Sequence, residues 1–479
     1  MSTATASAPL PKNDFPDWLS PIVVKELRQG LKSRAFVSVA TLLQGGMAFM
    51  FVIAALSAMS PGGSGVDTLS GFFWFMLWVP LIFVMPGRAL QAVVEETKVQ
   101  TLELVQMTRM QSLRIILGKW CALSVQSFLL VLAILPYFVL RYFFGGVDLV
   151  NDLINLLSLL GLSMLFTAAG LAASTLKPGL RIVLVIISVA FVLIGGQALA
   201  IMSSFGRAGP LGGMAWPTSP WLGLLAGGLL LTAYVAFFLL QGADHLSTQV
   251  ESYSPQKRVL ALISSLIIIT AWVLHDQTSI DLRILSLLIP LVLWSIAEAL
   301  VEVNDPDWVL GRNQPFWNFL FRPGWATGLF FALTILGIVF IGIWWGQTSM
   351  SSEEFEGLWK SYVIFIGAVL TPALILIRMA WVKQRLLLYW LIHLLFAVAF
   401  TGAMLMSTRP GLRPEDALAY LAPFPPSIAL GLIQQEMDID FIRTVFPITA
   451  SVTVAIMSLF LIFSLKALRR SRAQQNLTF

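Results

Sequence analysis

Residues 95–119 read EETKVQTLELVQMTRMQSLRIILGK, and the fold follows from what lies on either side of them. Upstream, Ser70 to Pro86 reads SGFFWFMLWVPLIFVMP, and downstream Trp120 to Leu140 is again free of charge. Both flanks are apolar runs of membrane-spanning character. Leu102, Val105, Leu113 and Ile116 recur inside the charged stretch at helical spacing, with Glu95, Glu96, Glu103, Arg109 and Arg114 supplying a polar face. A charged amphipathic helix pinned between two spans is a contact surface, suited to docking a soluble partner.

Working outward, 57% of the 479 residues are hydrophobic and 11% charged, too few charges to cover a soluble surface of that size. The expected class is an all-α polytopic membrane bundle. Its formal charge of +5 is small and unevenly placed, which reports orientation and not nucleic-acid binding. The single cysteine, Cys121, has no intrachain disulfide partner, and no Cys/His cluster stands ready for a metal. Asp14 and Asp17 precede a long first apolar run, so no cleaved signal peptide is expected.

About twelve apolar runs can be marked along the chain, the first near Phe36 to Met59 and the last near Pro447 to Lys466. An even number puts both termini on one side, and all but seven of the 30 basic residues share that side. Basic residues accumulate in the cytoplasm, so both termini, and with them Glu95 to Lys119, are expected there, in a cell (inner) membrane. Residues 1–16 read as a disordered cytoplasmic tail, 17–241 as a first six-span half, 242–257 as a polar linker and 258–479 as a second six-span half. Corresponding loops are long in both halves, but no residue-level repeat accompanies them. Pro414 to Ile433, apolar but interrupted by Pro423, Pro425 and Pro426, reads either as a re-entrant or interfacial helix pair or as an outer cap.

Glu95, Thr101, Leu102, Glu103, Leu104, Thr108, Ile116, Gly118 and Lys119 resemble the pattern E-(x)n-T-L-E-L-L-x-x-T followed by I-L-x-G-K, found in the membrane subunits of type-2 ATP-binding-cassette exporters. Val105 stands where that pattern has a second leucine. Pro21 to Arg34, PIVVKELRQGLKSR, is similar to the amphipathic elbow helix of the same family, and the resemblance covers about residues 18–241. It implies that the elbow lies along the cytoplasmic interface. It also implies that Glu95 to Ile115 is a coupling helix gripped by a separate ATPase subunit, with Glu95, Glu96, Thr101, Leu102, Glu103, Leu104 and Thr108 at the contact. ATP and magnesium would then be held by that partner, and no cofactor by this chain. The sequence leaves two arrangements open: one chain supplies both halves of the pathway, or it pairs with a second permease chain, identical or not.

From the residues themselves, the elbow segment has a polar face of Lys25, Glu26, Arg28, Lys32 and Arg34 and an apolar face of Ile22, Val23, Leu27 and Leu31, entered at Pro21. Three intramembrane polar groups are candidates for transport roles: Glu298, His393 and Gln126. Each has a bland alternative. Glu298 can snorkel or pair with a nearby cation, His393 can pack between helices, and Gln126, like Gln44 and Gln197, can hydrogen-bond a neighbouring helix. Catalytic patterns are absent: the one Gly-Lys pair, Gly118-Lys119, is followed by Trp120 and is no phosphate loop, and three histidines and no nucleophile motif leave no enzyme site. The chain is expected not to be an enzyme. A secondary transporter or polytopic scaffold without an ATPase fits the span count equally well.

Overall fold

The structure, a computed structural model, describes residues 21–58, 65–98, 111–143, 149–176, 178–179, 181–182, 220–247, 253–274, 289–301, 325–345, 352–379, 385–393, 395 and a few positions between 447 and 462. Among these residues every regular element is helical. The helices are α1 (Pro21–Lys32), α2 (Arg34–Ala58), α3 (Gly65–Trp78), α4 (Met85–Lys98), α5 (Ser112–Phe143), α6 (Leu149–Ser174), α7 (Pro220–Leu246), α8 (Ser254–Leu274), α9 (Ile289–Val301), α10 (Trp325–Trp345) and α11 (Ser352–Arg378). A π-helical turn, Val79–Val84, joins α3 to α4.

Six stretches among the described residues are long and apolar enough to cross a membrane: Arg34–Ile53, Phe72–Glu95, Ser112–Tyr142, Asp152–Ser174, Gly227–Leu246 and Thr327–Trp345. They coincide with six of the apolar runs in the sequence. Residues 183–203 of the expected fifth span, residues 302–324 of the inner loop, the outer segment Pro414 to Ile433 and the N-terminal tail lie outside the described residues. So do residues 99–110, the middle of the charged stretch.

The chain packs as two units. One comprises Met1–Thr175, Leu199–Met214 and Phe238–Thr248, the other Leu176–Ala198, Ala215–Phe237 and Gln249–Phe479. In the first unit α4 lies against α6, α1 against α5, and α5 against α6. The core there is formed by Leu77, Leu81, Ala89, Ile116, Leu130 and Leu159, all essentially inaccessible. In the second unit α9 and α10 meet where the backbone at Ala299 approaches Gly328, and α8 lies along α10. Two buried cations at the start of α8 are covered by rings: Lys257 Nζ lies 5.3 Å from the Trp294 centroid and the Arg258 guanidinium 5.5 Å from that of Phe331.

Helix α5 measures the membrane. Its buried Lys119 and Arg141 are 22 residues apart, about 33 Å at the α-helical rise, which matches a hydrocarbon core of about 30 Å. The residues between them carry no charge. At the far end Arg141 Nη1 donates to Asp152 Oδ2 at 2.6 Å, joining the last turn of α5 to the first turn of α6. Both charges suit their helix ends, a cation at a C-terminus and an anion at an N-terminus. The guanidinium also lies over Phe73 and Trp74 of α3, 5.1 and 5.7 Å from their centroids.

Removing one partner of such a pair strands the other in a buried site. Asp152→Ala is expected to lower stability by about 3–5 kcal/mol. Arg141→Met combined with Asp152→Leu should recover most of that loss. Thermal unfolding of the detergent-solubilised protein measures both, and an unchanged midpoint for Asp152→Ala would show that the pair is not formed.

Candidate functional site

Among the described residues, the elbow segment, Gly118, Lys119 and Gln126 come together at the end of the first unit where α1, α4 and the start of α5 meet. Helix α1 ends at Lys32 and α2 begins at Arg34, so Ser33 separates them. Its hydroxyl oxygen accepts from the Phe36 N–H at 3.2 Å, an N-cap for α2, while the hydroxyl donates to the Gly30 carbonyl at 2.7 Å near the end of α1. One side chain thereby satisfies groups of both helices and sets the bend between them.

Arg88 of α4 reaches into this bend. Nη2 donates to Ser33 Oγ at 3.2 Å and to the Gly30 carbonyl at 3.4 Å, and Nη1 donates to Gln126 Oε1 of α5 at 2.5 Å. The guanidinium sits at the carbonyl end of α1, where the helix dipole favours a cation, and lies 5.9 Å from the Phe36 ring centroid. A planar group with five donors suits such a divergent set of acceptors. Four helices are tied through it.

Helix α1 runs side by side with α5. Ile22 meets Gly118, Glu26 meets Lys119 and Gly30 meets the Gln126 amide, so the contacts advance in the same direction along both helices. A β-carbon at Gly118 would stand 2.7 Å from Ile22 Cγ2, and one at Gly30 would collide with Gln126. Lys119 Nζ donates to Glu26 Oε1 at 3.0 Å, with the lysine side chain only 3% exposed. Glu26 belongs to the polar face of α1, and its carboxylate meets the buried cation of Lys119 there. Pro21, Lys25 and Arg28 are exposed and Leu27 is half-buried. Arg34, assigned from the sequence to the elbow, is the exposed first residue of α2.

Glu95 is exposed in the last turn of α4, and Glu96 follows it in the same helix. Thr101, Leu102, Glu103, Leu104 and Thr108 lie outside the described residues. The helices that bracket them are held in register: α4 by Arg88 on Gln126, and the opening turns of α5 by Gly118 and Lys119 on α1. Gln126 is therefore a helix-to-helix contact. Gln44 is another, donating to the Ala133 carbonyl at 2.6 Å.

Glu298 and His393 belong to the second unit and are not part of this junction. Glu298 lies in the last turns of α9, one turn after Trp294. His393 is buried edge-to-face against Tyr389, centroids 4.4 Å apart, and neither ring nitrogen has a hydrogen-bond partner among the described residues. The Tyr389 hydroxyl donates to the Val369 carbonyl at 3.3 Å. Arg88 was not singled out by sequence reasoning, although a lone arginine just past the apolar run ending at Pro86 was a signal for it. The Glu26–Lys119 pair had no local signal, its members being 93 residues apart. No group of His, Cys, Asp and Glu among the described residues is arranged to hold a metal. Comparison with protein-family models, with curated proteins and with solved structures finds no match.

Overpacking a tight helix crossing costs about 1–3 kcal/mol, enough to raise opening of α1 from α5 about tenfold. Gly118→Leu should therefore speed tryptic cleavage at Lys25 and Arg28 in membranes, and adding Ile22→Ala should restore protection. Equal cleavage of Gly118→Leu and wild type would rule out the close crossing.

Proposed function

We propose that this chain is the membrane-spanning permease of an ATP-binding-cassette exporter, driven by a separate ATPase subunit that docks on Glu95 to Ile115 in the cytoplasm. The observation that carries the reading is the junction at Gly118 and Lys119. These residues close the coupling pattern of the sequence, and they pack on α1, the segment that resembles the elbow helix. Two independent resemblances, 93 residues apart at Glu26 and Lys119, thus belong to one packed assembly. The fuller architecture proposed is about twelve spans in two six-span halves, with both termini cytoplasmic in the cell membrane.

Mechanistically, ATP binding would close two ATPase subunits against each other and displace the acidic, Leu-bearing segment between α4 and α5. Glu95, Glu96 and Glu103 complement a basic groove on such a partner and speed encounter, while Leu102 and Leu104 supply apolar contact. Arg88 on Gln126 and Lys119 on Glu26 tie the flanking helices together, so a push on the segment tilts α4, α5 and α1 jointly instead of fraying one of them. Coupling in this scheme is mechanical, and the nucleotide and its magnesium stay on the partner.

A secondary transporter remains the second reading, because His393 is a buried imidazole with no hydrogen-bond partner among the described residues. An ionisable group so placed is a candidate proton carrier. The two readings part on the partner. Changing Leu102 and Leu104 to Asp should abolish copurification of the ATPase while membrane insertion is unchanged. Retained copurification, or transport by the purified chain alone under a proton gradient, would overturn the exporter reading.

A further inference from the structure

The run Gly65–Lys98 is helical throughout, but it changes character in the middle. Trp78 and Met85, on either side of the π-helical turn, keep right-handed helical angles of −62°, −45° and −66°, −45°, so the chain passes from α3 to α4 without a break. Within the turn the Met85 N–H donates to the Pro80 carbonyl, five residues back. Pro86, just past the turn, explains the widening. Its ring crowds the turn before it and it has no N–H to donate, and a π turn relieves the crowding at the cost of displaced backbone acceptors.

One displaced acceptor is taken by another helix. Ser163 of α6, fully buried, donates its hydroxyl to the Leu81 carbonyl at 2.7 Å, and its oxygen lies 3.3 Å from the Ser127 hydroxyl of α5. In an apolar interior a carbonyl without a donor is costly, so this contact stabilises the widened turn in one geometry. The flanking segments are anchored differently. Helix α3 is held at Phe73 and Trp74 by Arg141, and α4 is held by Arg88 on Gln126 and by the close approach of its Pro86 carbonyl to Gly170 of α6.

We infer that the π turn Val79–Val84 is a pivot between α3 and α4, and that the Ser163 hydroxyl, supported by Ser127, is the catch that holds it in one position. When the anchors at the two ends shift relative to each other, the bend is absorbed where the backbone bonding is weakest, and Ser163 releases or recaptures the Leu81 carbonyl. The device is independent of what drives it, whether a docked ATPase or an ion gradient.

Nitroxide labels at Phe75→Cys on α3 and Gln91→Cys on α4, both exposed positions, report the bend in the full chain with Cys121→Ala, reconstituted in lipid nanodiscs. With Ser163 present, pulsed electron resonance should give one narrow distance population. Loss of a single hydrogen bond in Ser163→Ala should raise a second population about fivefold. Ser163→Thr, which keeps the hydroxyl, should restore the narrow distribution. A wild-type distribution in Ser163→Ala overturns the catch, as does equal broadening by Ser163→Thr, which would signify disturbed packing. Should the Ser163 variants fail to accumulate, Ser127→Ala removes only the support: broadening is expected, and an unchanged distribution overturns the inference.

Discussion

Arg88 is the group on which the junction of α1, α2, α4 and α5 depends. A guanidinium in that position must be surrounded by acceptors, and it finds them on the last turn of α1, the cap of α2 and the middle of α5. Its demand for acceptors fixes the bend at Ser33, because that serine can serve α1, α2 and Arg88 together only with the two helices set at the observed join. Close packing then follows from small residues, Gly118 under Ile22 and Gly30 under Gln126. The buried pair Glu26 and Lys119 completes the attachment of α1.

The same economy of charge operates along α5. The helix is longer than a bilayer core, and its two buried charges, Lys119 and Arg141, stand where the uncharged stretch ends. Lys119 is neutralised from α1 and Arg141 from α6, each by a carboxylate distant in sequence or across a turn. Three other polar side chains bond to helix backbone instead: Gln44 to Ala133, Ser163 to Leu81 and Trp120 to the Met164 carbonyl. Helices in an apolar medium gain little from hydrophobic burial against each other, so such bonds and close small-residue contacts set the packing.

The helical class and the positions of six spans were legible because hydropathy and charge are local properties, averaged over some twenty residues. The amphipathic nature of residues 21–32 was legible for the same reason. The partner of Glu26 was not legible, because helical periodicity assigns a residue to a polar face without knowing what meets it there. Gln126 was open between substrate contact and helix contact until Arg88 was found beside it. The π turn Val79–Val84 had a visible cause in Pro86, yet the donor that answers it, Ser163, sits 82 residues away from Leu81.

By itself the sequence determined that this is a helical, multi-pass chain with a charged segment strung between two apolar runs, since those statements need only composition and periodicity. Which charges neutralise each other, which glycines are crossings, and where a span changes its bonding pattern were decided by tertiary structure alone. Each of those depends on two residues far apart along the chain arriving at one point, where a buried cation must meet an acceptor or a displaced carbonyl a donor.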